Sequence, residues 1–254
     1  MIVTYEREGR NAVITINRPE ARNAINGEVA AGIEAAIDRL EADDEAWTGI
    51  LTGAGTVFSA GADLKEVASG GGRNLGTERG GFGGIVVRDR TKPIIAAVDG
   101  PAVAGGCEIA LACDLIVAST NARFGLPEVK RSLVAGAGGL QRLPRALPFN
   151  LAMELALTGD TIDAEQAHTH GMVNVVCAPG EALAAAAALA DRVNANAPLA
   201  VRETRNLVRS GATQDTVDAI GSATRAMAAL AATDDWAEGP RAFIEKRPPV
   251  WTGR

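Results

Sequence analysis

The run Pro93-Ile94-Ile95-Ala96-Ala97-Val98 constrains this chain more than any other segment. It carries no polar side chain, is short for a helix, and stops at Asp99-Gly100-Pro101, so it reads as a buried strand. Around it, short strands alternate with helices. Val13-Ile14-Thr15-Ile16 is a strand that ends at the turn Asn17-Arg18-Pro19. From Gly27 to Ala42 the period changes: Val29, Ile33, Ala36, Ile37 and Leu40 recur at helical spacing between charged positions. Trp47-Thr48-Gly49-Ile50-Leu51-Thr52 and Asp114-Leu115-Ile116-Val117-Ala118 read as further strands, and Gly105-Gly106-Cys107-Glu108-Ile109-Ala110-Leu111 opens a helix. Beyond residue 140 the pattern predicts helices over 147–157, 163–169, 180–194, 198–209 and 213–231, with a short strand at Val173-Asn174-Val175-Val176.

The fold class is therefore α/β. No Ser/Pro-rich linker separates the strand-bearing part from the helical tail, so 1–195 and 196–254 are expected to form one unit, a core with a helical appendage. No G-x-G-x-x-G follows the first strand and no G-x-x-x-x-G-K-[ST] occurs, which leaves dinucleotide and nucleoside-triphosphate binding unsupported. With 25 Lys+Arg against 31 Asp+Glu the net charge is −6, a poor balance for non-specific nucleic-acid binding. The opening Met1–Arg7 has charges where a signal peptide needs an apolar run, and no stretch reaches 18 apolar residues; a cytoplasmic location without membrane attachment is expected. Cys107, Cys113 and Cys177 lack metal or redox spacing and read as reduced thiols. The only two histidines, His168 and His170, lie near a helix end and read as structural or surface residues, so neither a zinc site nor serine–histidine–aspartate chemistry is expected. Residues 70–84 hold eight glycines and read as a mobile loop, either a plain insertion or a cover for substrate.

Two glycine-rich turns each follow an apolar strand: Ala60-Gly61-Ala62-Asp63 and Val103-Ala104-Gly105-Gly106. Such turns serve backbone geometry alone, or they let a ligand lie against N–H groups that stabilise developing negative charge. If Gly105 begins a helix, its N–H is an unpaired donor of the first turn. Glu108 lies in the least charged neighbourhood of the chain, where burial raises a carboxyl pKa into the range useful for proton transfer, and Glu128 follows Pro127. Taken singly, each glutamate also fits a capping or salt-bridged residue, as do Asp63 and Asp114.

These segments, together with Asn17–Ala24, Phe58–Glu66, Phe124–Glu128, Gly136–Leu143 and the tail Glu238–Arg247, resemble the enoyl-CoA hydratase/isomerase (crotonase) superfamily in order and spacing. The resemblance implies a crotonase-like spiral of ββα turns with a C-terminal helical trimerisation region, and a homotrimer or a dimer of trimers. It implies an acyl-CoA thioester as substrate, with coenzyme A entering as part of it and no separate cofactor or metal. Ala62 and Gly105 match the oxyanion donors, and Glu108 and Glu128 match the catalytic pair. Arg22, Ala24, Ala60, Asp63, Leu64, Lys65, Gly136, Phe243 and Lys246 match positions around the ligand, the last two reaching it from the C-terminal region. Two departures touch acyl selection: Ala135 stands where proline is usual, and the 70–84 segment lacks the family's better-filled acyl-pocket residues. The implied activity is hydration of a trans-2-enoyl-CoA, with isomerisation, dehydration of a hydroxyacyl-CoA, or non-catalytic acyl-CoA binding as alternatives.

Overall fold

The computed structural model describes residues 1–70 and 74–254. In chain order the strands are β1 (Val3–Glu8), β2 (Asn11–Ile16), β3 (Thr48–Gly53), β4 (Gly76–Thr77), β5 (Gly81–Phe82), β6 (Ile94–Val98), β7 (Ala102–Val103), β8 (Leu115–Ser119), β9 (Arg123–Gly125), β10 (Thr161–Asp163) and β11 (Val175–Cys177). The helices are α1 (Gly27–Ala42), α2 (Leu64–Ala68), α3 (Gly105–Ala112), α4 (Gly139–Ala146), α5 (Phe149–Thr158), α6 (Ala164–Thr169), α7 (Ala182–Asn194), α8 (Pro198–Gly211), α9 (Thr216–Leu230) and α10 (Asp234–Glu245).

The main sheet runs β1-β2-β3-β6-β8-β11 and is parallel except for the β1–β2 hairpin. Its centre is the apolar run Ile94–Val98. Side chains alternate across a strand, so Ile95 and Ala97 of β6 meet Ala182, Ala186 and Ala190 of α7 on one face. Ile94, Ala96 and Val98 belong to the larger core on the other face, with Ile33, Ile37 and Leu40 of α1. Helices on both faces are what a strand without polar residues requires.

A second layer is built from short crossings. Ile25 bridges Ala62, Ser59 bridges Ala102, β7 pairs with β9, and β9 pairs with β10. Each turn of the chain thus runs a main-sheet strand, a short crossing and a helix: β2, Ile25 and α1; β3, Ser59–Ala62 and α2; β6, β7 and α3. This is the expected spiral of ββα turns, and it puts the two glycine-rich turns at the same level in adjacent turns.

Several expectations shift. The edge strand β1 was not legible, because Thr4-Tyr5-Glu6-Arg7 lacks an apolar run; β11 begins later than read, because Asn174 uses its N–H and its Oδ1 on Ile116. Of the glycine-rich segment 70–84, residues 71–73 lie outside the described residues. The remainder is packed and not a free loop: β4 pairs with β5, Thr77 bonds Glu34, and Arg79 pairs with Glu34 and Asp38. The C-terminal helices differ from the core in burial, with only Pro198 buried in α8 and no residue buried in α9. The chain's last residues fold back: Trp251 Nε1 donates to the Ala195 carbonyl at 2.9 Å, and Arg247 pairs with Glu238 at 2.6 Å. No helix among the described residues is long and apolar enough to cross a membrane.

Candidate active site

The first turn is set by Asn23, whose left-handed backbone (φ 52°) is held from four sides. Its Oδ1 accepts from Arg18 N at 2.9 Å, its Nδ2 donates to Ala54 O at 2.9 Å and Val57 O at 2.6 Å, and its carbonyl accepts from Ser59 Oγ at 2.8 Å. This ties the Arg22 loop to the Ser59–Ala62 crossing. Ile25 then takes the Gly61 carbonyl with its N–H and the Asp63 N–H with its carbonyl. A parallel bridge of this form leaves the Ala62 N–H pointing the other way.

The second turn is set by Ala104, at φ 52° and ψ −130°, a conformation costly for a residue with a Cβ. Its N–H is held by Gly125 O at 2.9 Å, and its carbonyl starts α3 by accepting from Cys107 and Glu108 N–H groups. Gly105 is therefore the first helical residue, with an N–H outside the helical ladder. The two turns touch. A Cβ on Gly61 would lie 2.7 Å from Gly105 N, and one on Gly106 would lie 2.1 Å from Ser59 O, so glycine is obligatory where the crossings pack.

Ala62 and Gly105 both line one cavity of about 910 Å³, and so do Glu108 and Glu128. Glu108 is 3% exposed. Its Oε1 accepts from the N–H groups of Ala137 at 2.7 Å and Gly139 at 2.8 Å. Burial pushes its carboxyl above the usual glutamate range; the Gly139 and Ala137 N–H groups pull it down, neighbouring Glu128 pushes it up, and Arg142 pulls it down. Glu128 sits in a short 3₁₀ turn, Pro127–Arg131, with its Oε2 buried and unpartnered among the described residues. Burial raises its carboxyl too, against its own N–H and Arg131. Two carboxyls with raised pKa values thus line one cavity together with Ala62 and Gly105, whose N–H groups have no hydrogen-bond partner among the described residues; groups of this kind are suited to proton transfer beside backbone donors.

Of the other expected residues, Arg22, Ala60, Leu64 and Gly136 line this cavity, and Ala24, Asp63, Lys65, Phe243 and Lys246 do not. Asp63 is occupied in the fold: its Oδ1 caps α2 at Lys65 N (3.1 Å), and its Oδ2 pairs with Arg18 at 3.2 Å. Ala24 is buried and accepts from Arg18 through its carbonyl. Lys65 is exposed on α2. Gly136 is in the wall, but the N–H groups that hold Glu108 are those of Ala137 and Gly139. Phe243 is 84% exposed, and Lys246 ends α10 in a left-handed cap. Sequence reading missed Phe82, Val86, Val87, Arg131 and Arg142 in the wall. The apolar triplet Ile85-Val86-Val87 after the glycine-rich segment was the available signal for part of it. His168 is structural, with Nδ1 2.8 Å from the Val173 carbonyl.

Known proteins resemble this chain over nearly its whole length. Residues 6–254 match the sequence model of the family described as enoyl-CoA hydratase/isomerase. The chain is 40% identical over 253 residues to the short-chain-enoyl-CoA hydratase of Clostridium acetobutylicum, covering 96% of this chain and 95% of that one. The crystal structure of enoyl-CoA hydratase from Mycobacterium tuberculosis H37Rv has a TM-score of 0.96 at 47% identity, covering 100% of this chain and 99% of that one. The enoyl-CoA hydratase EchA1 of Mycobacterium marinum also gives 0.96, at 49% identity and the same coverage. Likeness of this order in both sequence and spiral makes this chain a member of the enoyl-CoA hydratase/isomerase family.

Proposed function

We propose that this protein is an enoyl-CoA hydratase, adding water reversibly across the 2,3 double bond of a trans-2-enoyl-CoA. The observation that carries the proposal is the pair Glu108 and Glu128 in one cavity with Ala62 and Gly105, whose N–H groups have no partner among the described residues. The thioester oxygen sits between those two N–H groups, where one well-placed donor is worth about 2.7–4 kcal/mol as the enolate forms. Glu108 commits Oε1 to two N–H groups, which leaves Oε2 to orient a water and accept its proton. As the water oxygen bonds to C3, the π electrons move to the thioester oxygen, and Glu128 delivers a proton to C2. The water proton taken by Glu108 must return to Glu128 before the next turnover, so the pair works as one unit.

Arg22, Ala60 and Leu64 flank the coenzyme A end of the cavity, with the exposed Lys65 beside them. Phe243 and Lys246, outside the wall of the single chain, reach the ligand from a neighbouring copy. This fits the exposed Val208, Val217, Ile220 and Met227 of α8 and α9, apolar side chains that a trimer or a dimer of trimers covers. Light scattering is expected to give three or six times the 26.1 kDa chain mass; a fully active monomer would remove the assembly from the proposal.

The deciding experiment is incubation with trans-2-enoyl-CoAs of increasing length, following loss of the conjugated thioester absorbance and the gain of one water by mass. Conversion of 3-enoyl-CoAs without water uptake, while every 2-enoyl-CoA stays inert, would replace hydration by isomerisation. Binding without conversion of either would replace catalysis by carriage.

A further inference from the structure

Of the basic side chains in the cavity wall, Arg142 takes no part in the steps above and is tied into the fold. Arg142 stands in α4, half-buried, and lines the cavity that holds Glu108. Its guanidinium donates through Nη1 to the Ala137 carbonyl at 3.2 Å and through Nη2 to the Val86 carbonyl. Ala137 is also the residue whose N–H holds Glu108 Oε1 at 2.7 Å, and the second holding N–H, that of Gly139, lies two residues on. Between them Gly138 adopts φ 96°, and a Cβ there would lie 2.1 Å from Arg142 Nη1. Glycine at 138 therefore provides the left-handed turn that aims two N–H groups at one oxygen and also leaves the guanidinium its place.

We infer that Arg142 is a positioning residue for Glu108: it grips the 137–139 turn that fixes one carboxylate oxygen, and it ties that turn to the cavity wall at Val86. A planar fork donates to the two carbonyls from two separate nitrogens; an ammonium would have to reach both from a single nitrogen, and an amide carries no charge. The electrostatics agree with the geometry. The charged groups that act on Glu108 are Glu128, which disfavours its ionised form, and Arg142, which favours it. Arg142 in turn feels Arg209, Glu108, Cys113 and Arg145, with Glu108 favouring its charged form. The catalytic consequence rests on the hydratase proposal; the positioning itself does not.

The test pairs Arg142→Gln with Arg142→Lys and reads Glu108 directly, by NMR titration of ¹³C-carboxyl-labelled glutamates, its signal identified by loss in Glu108→Gln. In Arg142→Gln the Glu108 midpoint is expected to move to higher pH, and kcat on an enoyl-CoA to fall about 10- to 10²-fold with little change in KM, as expected for a displaced catalytic group. Arg142→Lys keeps a charge but not both tethers, so the 137–139 N–H groups hold Oε1 less well; its midpoint should rise, by less than in Arg142→Gln, while kcat still falls. An unmoved midpoint in folded Arg142→Gln would overturn the inference and leave Arg142 as a fold stitch. If Arg142→Gln does not fold, full activity of Arg142→Lys overturns it instead. A wild-type protein inactive on every enoyl-CoA would sink the hydratase proposal alone, because the titration still decides for or against Arg142.

Discussion

Helix α3 has a carboxylate near each end, Glu108 buried and Asp114 half-buried, and the two are kept in opposite states. At its start Glu108 has one oxygen on two N–H groups and no ion pair among the described residues, and burial raises its pKa. Just past its end Asp114 meets three guanidinium groups: Arg90 at 2.5 Å, Arg205 at 3.0 Å and Arg209 at 3.4 Å. Burial also pushes Asp114 up, but Arg90 and Arg205 outweigh it and hold the carboxyl below the usual aspartate range. The helix dipole favours the reverse, ionisation at the start and neutrality at the end, by about 0.3–1 kcal/mol. Local partners overrule it at both ends. A carboxylate whose oxygens are all engaged by cations is part of the framework, whereas one with a free oxygen and a raised pKa is available for proton transfer.

The largest effect that tests this contrast belongs to Asp114→Ala. It leaves Arg90, whose side chain is only 1% exposed, without its counter-charge. Loss of one partner of a buried pair typically costs about 3–5 kcal/mol. Denaturant unfolding should show a loss of that size, with kcat of the folded variant near wild type. A loss below about 1 kcal/mol would mean that the cluster is solvated, and the contrast would fail.

Next come the glutamates. Glu108→Gln and Glu128→Gln should each lower turnover by at least about 10²-fold, the lower end for positioned acid–base catalysis. Neither is expected to change unfolding stability or coenzyme A affinity appreciably. The double variant should cost less than the product of the single losses, as for groups acting on one water. Near-full activity of Glu108→Gln alongside a dead Glu128→Gln would point to a one-base isomerase.

The same contrast separates activity from stability along the pH axis. Glu108 must be ionised to accept a proton, so kcat/KM should decline on acidification through its raised pKa, above the ordinary glutamate range of about 4.3. Asp114 has the opposite sign. Its folded pKa is depressed, so its stabilisation is present above the unfolded value of about 3.9 and is lost only as pH falls through the lower folded one. A window is therefore expected in which the protein is folded and reversibly inactive. Activity and circular dichroism followed through one acid titration would reveal it, and coincident loss of both would erase it. On the alkaline side, Glu128 must carry a proton at the start, so kcat/KM should fall as pH rises through its raised pKa.

Legibility followed the range of the signal. Helix α1 was read with its boundaries because its period is local and long, and Asn26 closes it by accepting from Val29 N at 2.9 Å. Helix α4 was invisible because glycines precede it and Pro144 stands inside it. At the site, the glycine-rich turns, Glu108 and Glu128 were legible from composition alone as candidates, and the family resemblance gave them roles. Asp114 was legible only as a capped or paired acid, since its partners Arg90 and Arg205 lie 24 and 91 residues away. The role inferred for Arg142 depends on two backbone carbonyls that leave no mark in residue type, and Gly138 alone does not say what fills the space over it.

The smallest effect sharpens the contrast from within the arginine cluster. Arg209 differs from its neighbours in exposure, 45% of its side chain against 9% for Arg205 and 1% for Arg90, and in its longer 3.4 Å contact. Water already solvates much of its charge, so its attraction to Asp114 is screened, and holding a long side chain in one geometry costs rotamer entropy. It also lies close enough to disfavour the charged forms of Arg205 and Arg142, a repulsion that its removal relieves. Asp114 would still keep Arg90 and Arg205, together with the Ile94 N–H at 2.9 Å. Arg209→Ala is therefore expected to change stability by about 0–1 kcal/mol, the range for exposed pairs, and to leave kcat unaltered. Denaturant unfolding of Arg209→Ala beside Arg90→Ala is the measurement. Equal losses would show that the three cations share Asp114 evenly, and that burial does not rank them.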